Sequence, residues 1–129
     1  MTDAEYRTQK KRLDALRKRW YFRLGLGWWK ITYRYVKDEF TVDGHLEPGT
    51  LATCEADWRY LKARIDWNML RVADHDDDYL EEAFVHEHMH LFVDELREGV
   101  EPGFDHLVHE ERVCTQLARA FIWTRQAKN

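Results

Sequence analysis

Residues 61–70, LKARIDWNML, alternate strictly. Leu61, Ala63, Ile65, Trp67 and Met69 fall on one side, and Lys62, Arg64, Asp66 and Asn68 on the other. That period of two predicts a strand with one face on the core and one in water. The stretch 28–36, WWKITYRYV, is aromatic and β-branched and sets Ile31, Tyr33 and Tyr35 on one side, a second strand. Residues 50–57, TLATCEAD, read as a third. The turn-rich 42–50, with Asp43-Gly44 and Pro48-Gly49, separates them. Short connections make an antiparallel meander the simplest arrangement.

Helical periods bracket the strands. Residues 4–19 predict a helix with a basic face and a thin apolar stripe of Tyr6, Leu13 and Leu16, ended near Gly25 and Gly27. ADHDDD, 73–78, supplies helix-start chemistry, with Asp78 as cap and Glu81 as its capping-box partner. The helix that follows covers about 79–97 and stops at Gly99, Pro102 and Gly103; a last helix covers about 104–126. The fold class expected is α+β in one domain spanning 1–129, with 1–20 as a basic N-terminal helix.

The 129 residues are 44% hydrophobic and 34% charged, the balance of a globular chain able to bury its own core. No segment approaches the roughly 20 apolar residues of a membrane span, and the N-terminus lacks the apolar core of a signal peptide. The expectation is a cytoplasmic protein with no membrane partner. Cys54 and Cys114 form no CxxC pair and read as buried thiols. Charge is unevenly spread: residues 1–37 carry +8, 38–111 carry −16 and 112–129 carry +4. A basic N-terminal segment either contacts nucleic acid or pairs with the chain's own acidic middle, and the second reading is the simpler.

The densest chemistry lies in FVHEHMHLFVDE, 84–95, where His86, Glu87 and His90 form H-E-x-x-H. Residues four apart share a helix face, so His86 and His90 can meet one zinc ion, and Glu87 can reach a water on that ion without binding it. Taking about 100° per residue from His86, His90 falls near 40° and His88 near 200°. His88 shares its sector with Glu81 and Glu95, the one consistently charged direction, and is expected to face solvent. The other sectors carry Leu80, Phe84, Val85, Leu91, Phe92 and Leu96, so the helix is expected to be buried.

A catalytic zinc takes three protein ligands and a water. The last helix has its core stripe at Val113, Cys114, Leu117, Ala120 and Phe121; Glu110 lies on that stripe and Glu111 off it. Glu110 is therefore the expected third ligand and Glu111 the second choice, with His106 and His109 as alternatives. Asp94, one turn after His90, can orient a ligand imidazole.

These residues resemble the gluzincin-type zinc metallopeptidases, in particular short phage- and prophage-encoded ones. YLKARIDWNML, DDDYLEE, VHEHMHLFVDELRE and HEERVCTQLARAFIW carry the resemblance, with LGLGWWKITYRY beside them, over most of residues 24–123; H-E-x-x-H is the strong signal and the Glu-containing last helix the weaker one. It implies a minimal zincin-like fold, a small antiparallel sheet with an active-site helix and a glutamate-bearing helix. It also implies a hydrolase: Zn2+ held by His86, His90 and Glu110, Glu87 as general base, and a peptide or protein substrate paired along strand 62–69. Tyr60, Tyr79, His106 and His109 are the available oxyanion donors. The rival reading is a non-catalytic zinc-containing module that contacts nucleic acid through the basic N-terminal segment.

Overall fold

The computed structural model describes residues 1–98 and 104–126, without the side chains of 104–106. In chain order the elements are α1 (Asp3–Trp20), β1 (Lys30–Val36), β2 (Thr41–Val42), β3 (His45–Leu46), β4 (Ala52–Asp57), β5 (Lys62–Asn68), α2 (Met69–Asp74), α3 (Asp77–Arg97) and α4 (Phe104–Gln126). The class is α+β, as the alternation of periods predicts. Gly99, Pro102 and Gly103 lie outside the described residues. No helix is long and apolar enough to cross a membrane among the described residues.

The sheet is not the expected antiparallel meander. Its order is β1-β5-β4: β5 is central, parallel to β1 (Lys30↔Lys62 to Val36↔Asn68) and antiparallel to β4 (Ala52↔Trp67 to Asp57↔Lys62). The hairpin of β2 with β3, plus β4, lies between β1 and β5 in sequence, and this long return lets two strands run the same way. Since β5 is paired on both sides, strand 62–69 has no free edge for a peptide. The exposed edge beside α3 belongs to β4.

The alternation in β5 holds for Ala63, Ile65 and Trp67, which are buried. The opposite face departs from expectation. Asp66 and Asn68 are also buried. The Asn68 amide donates to the carbonyls of Pro48 (3.2 Å) and Thr50 (2.9 Å), so the turn-rich segment covers this end of the sheet. Asp66 is paired with Arg64 at 3.1 Å and Arg34 at 3.6 Å. The strand is also shorter than its pattern: Leu61 sits at φ 51 in the β4–β5 turn, and Met69 opens α2.

Helix α3 begins two residues early. Asp76, not Asp78, is its cap, accepting from the Tyr79 amide at 2.8 Å, with Asp77 and Asp78 in the first turn. Its core face places Phe84 in a parallel stack on Trp67, centroids 6.0 Å apart. The sector read as solvent-facing is instead packed at Glu81 and His88 and exposed only at Glu95, while Phe92 and Leu96, expected in the core, are exposed near the end of the helix. Glu81 is buried, and its carboxylate accepts from Arg19, from Trp20 Nε1 (3.3 Å) and from Arg125 (2.8 Å), joining α1, α3 and α4. His88 is fully buried between Phe84 and Tyr33. Charged residues cluster there because α1 brings guanidinium groups to meet them. The simpler reading of the basic N-terminus thus holds in part: Arg12 pairs with Asp77 at 2.8 Å, and Arg19 with Glu81.

His88 Nδ1 lies 2.7 Å from the Phe84 carbonyl and so carries the proton, while Nε2 accepts from the Tyr33 hydroxyl at 2.7 Å. Burial, with the Arg17 charge over the Tyr33 ring, holds the imidazole pKa down at about 4. Unfolded histidine titrates near 6.5, so this neutral ring contributes its full stability above that pH and loses it as pH falls towards 4. The contribution at stake is on the order of 3 kcal/mol. In denaturant titrations at pH 7 and 4.5, wild type is expected to lose more stability than His88→Gln. Equal losses would show that His88 folds without this constraint.

Candidate metal centre

With Glu81 and His88 turned towards α1 and β1, the opposite side of α3 turns His86 and His90 towards α4. The two rings meet edge to face, centroids 5.1 Å apart. Glu111 reaches both: Oε2 is 3.0 Å from His86 Nε2, and Oε1 is 3.2 Å from His90 Nε2. One donor atom from each of these three residues falls within 4.8 Å of the others. A tetrahedral zinc with bonds of about 2.1 Å spaces its ligand atoms about 3.4 Å apart. Two imidazole nitrogens and a carboxylate at this spacing fit such an ion.

The partner from α4 is therefore Glu111, not Glu110. Glu110 is buried, as its place on the apolar stripe predicts, but a different group satisfies it. Arg97 at the end of α3 donates to Glu110 Oε1 from Nε (3.1 Å) and from a terminal nitrogen (2.7 Å). Burial of a carboxylate demands a counter-charge, and a guanidinium meets that demand as well as a metal. The stripe itself is rotated from expectation: Cys114 and Ala118 are its buried residues, while Val113 and Ala120 are exposed. This rotation brings position 111 to the edge of the α3–α4 interface, where a half-exposed carboxylate reaches two histidines.

The far ring nitrogens are held as well. His86 Nδ1 is 3.2 Å from Thr115 Oγ1, and His90 Nδ1 is 3.5 Å from Cys114 Sγ and 3.9 Å from Glu110 Oε1. Glu111 and Thr115 lie one turn apart on α4 and serve His86 from both ends. Glu110 and Cys114, also one turn apart, both approach His90 at Nδ1, while Glu111 meets its Nε2. A proton on each Nδ1 presents both Nε2 atoms to the Glu111 side. Asp94 does not take part: it accepts from the Trp58 amide at 3.3 Å and lies 3.9 Å from Arg97. His109 is exposed, and the His106 side chain lies outside the described residues. Neither expectation about position (Glu110 as ligand, Asp94 as orienter) matches the geometry, and Thr115 and Cys114 were not anticipated. A hydroxyl and a thiol next to a carboxylate pair carry no motif in the sequence.

The electrostatics suit a cation. Burial opposes charge on His90, yet contacts with Cys114 and the Glu111 carboxylate, together with the Glu87 charge, raise its pKa to about 10. The same histidine contacts hold the Glu111 carboxyl well below the usual carboxylate range. Positive charge is thus favoured between these groups, as a divalent cation there would require. Burial pushes Glu87 up, against the pull of His90 and His86. It lines two cavities. One, of 390 Å3, holds His86, Thr115, Tyr79 and Ala52; the other, of 320 Å3, holds His90, Glu111, Arg97 and residues 52–55 of β4. The two meet at Glu87 and Ala52, so a cleft runs along the β4 edge past the imidazole pair. Cys114 is buried and Cys54 half-buried, both as free thiols.

Comparison of the chain with protein-family models, with curated proteins and with solved structures gave no match.

Glu111→Ala is expected to weaken zinc binding by roughly a hundredfold or more, and Thr115→Val by about tenfold. Glu110→Gln is expected to keep zinc affinity within about tenfold and to lower stability by roughly 1–2 kcal/mol, a value discounted for the partly exposed Arg97. Zinc titration against a competing chelator, with thermal melts of the same variants, checks all three. Loss of zinc in Glu110→Gln with retention in Glu111→Ala would reverse the assignment.

Proposed function

We propose that the protein is a zinc-dependent metallopeptidase of zincin-like architecture. The observation that carries this reading is the convergence of His86, His90 and Glu111 beside Glu87, at the floor of a cleft bordered by an unpaired strand edge. Two histidines and one carboxylate are a ligand set of catalytic zinc sites, which keep a fourth position for water or substrate. Bound there, zinc would supply Lewis acidity, polarising a peptide carbonyl and bringing the pKa of water towards about 7.

The chain's own residues supply the rest. Glu87 follows His86 on the helix and shares its cavity, so it takes the proton of the attacking water and returns it to the leaving amine. Its raised pKa suits that exchange. The substrate lies extended along the free edge of β4, where the main chain of residues 52–55 borders the cleft. Of the expected oxyanion donors, Tyr79 lines the cavity with His86 and Glu87, stacked on His75 with centroids 4.1 Å apart. Tyr60, in the β4–β5 turn, lines neither cavity.

The rival zinc-bearing nucleic-acid module is the weaker reading, since Arg12 and Arg19, two of the seven cations of α1, are committed to α3. The test of the peptidase reading is zinc content and cleavage of an unfolded protein, for wild type and Glu87→Gln. Wild type is expected to hold one zinc per chain and to cleave. Glu87→Gln is expected to keep the zinc and lose cleavage by roughly a hundredfold or more. Zinc in both without cleavage by either would leave a metal site and remove the peptidase.

A further inference from the structure

The connection from α1 to β1 leaves large aromatic side chains in water. Phe22 is 89% exposed and Trp28 84% exposed. This exposure is built into the loop. Leu24 and Leu26, between them in sequence, are buried in the core beside Trp20. The backbone is pinned by Leu24 N to Trp20 O (2.9 Å), Leu26 N to Tyr21 O (3.1 Å) and Trp29 N to Leu26 O (3.0 Å). Gly25 takes the left-handed turn, φ 64, that reverses the chain. Each buried leucine thus fixes an aromatic neighbour outward.

The exposed aromatics lie on one short turn, with Tyr21 between them. Tyr21 packs edge to face on Phe22, centroids 5.4 Å apart. Its hydroxyl lies 3.6 Å from where a side chain on Gly27 would begin, next to Trp28. Cations frame the turn. Residues 15–37 contain seven Lys or Arg and no Asp or Glu. Lys18 stands one helical turn before Phe22, Arg23 follows it, and Lys30 comes two residues after Trp28.

We propose that this tip, Tyr21–Trp28 with Lys18, Arg23 and Lys30, docks on an anionic phospholipid surface. Trp and Phe left in water on a hydrogen-bonded turn suit the headgroup boundary of a bilayer, where an aromatic ring finds apolar contact without crossing. The flanking cations suit the negative surface potential of such a leaflet. Single-stranded nucleic acid fits less well, because Tyr21 and Phe22 stand at 88° to each other and so do not present parallel faces in line for successive bases. A second copy of the chain would bring the same cations together. The inference concerns association with a membrane surface, not a span, and is independent of the metal centre. The apolar pattern gives no sign of it, because periodicity does not reveal that Phe22 and Trp28 are left outside.

The test is co-sedimentation of the full chain with phosphatidylcholine vesicles, pure or containing about one-third phosphatidylserine. Wild type is expected to bind the anionic vesicles at low salt and not the neutral ones. The doubly substituted Phe22→Ser/Trp28→Ser and Lys18→Glu/Arg23→Glu chains are each expected to bind roughly tenfold less or weaker. Circular dichroism melts matching wild type establish that these surface changes leave the fold intact. Failure of wild type to bind anionic vesicles, equal binding to both vesicle types, or binding by the two variants as tight as wild type would each overturn the proposal. So would retention of a single-stranded oligonucleotide, lost in the same variants, without vesicle binding.

Discussion

The rotation of α3 about its own axis decides everything at the candidate site, and Glu81 sets it. A buried carboxylate must be met by donors. Here they come from three directions: Arg19 and Trp20 at the end of α1, and Arg125 near the end of α4. This one side chain ties both outer helices to α3. His88, bonded to Tyr33 of β1, holds the same side of the helix two turns further on. With that side committed to α1 and the sheet, His86 and His90 can face only α4 and the edge of β4.

The second consequence is a division of labour between adjacent glutamates. Glu110 and Glu111 differ by one step around α4, and the step separates a partner of Arg97 from a partner of the two imidazoles. Glu110 neutralises Arg97 within the packed interface, and its pair closes the end of α3 against α4. Glu111, at the rim, spans two imidazoles. Thr115 and Cys114, one turn later, repeat the pattern beneath the rings. Glu111 with Thr115 and Glu110 with Cys114 thus run as parallel rows along α4, four residues per repeat.

The three strands of the main sheet, the three long helices and the meeting of His86 with His90 were legible in the sequence, while the short α2 and the β2–β3 hairpin were not; the i, i+4 spacing on a helix is a strong geometric constraint. Much of what failed has one cause: periodicity assigns a polar side chain to water unless its partner is known, and His88, Glu81, Asp66 and Asn68 have partners in distant parts of the chain. The preference for Glu110 failed by the mirror of that argument: burial of a carboxylate signals a counter-charge but not which one. The antiparallel meander failed because strand pattern does not encode strand order, and β1 pairs with β5 across an intervening hairpin and strand. Moving β5 to the centre also moves the usable edge to β4.

The central claim is that α3 and α4 together form a three-ligand zinc site with one position left for water or substrate. A crystal structure of the zinc-loaded protein, with anomalous data collected at the zinc edge, tests it most directly. The account predicts a single strong peak bonded to His86 Nε2, His90 Nε2 and a Glu111 oxygen, with no fourth protein ligand and Glu110 still on Arg97. A peak held by Glu110, a fourth protein ligand, or no zinc between the two histidines would contradict it.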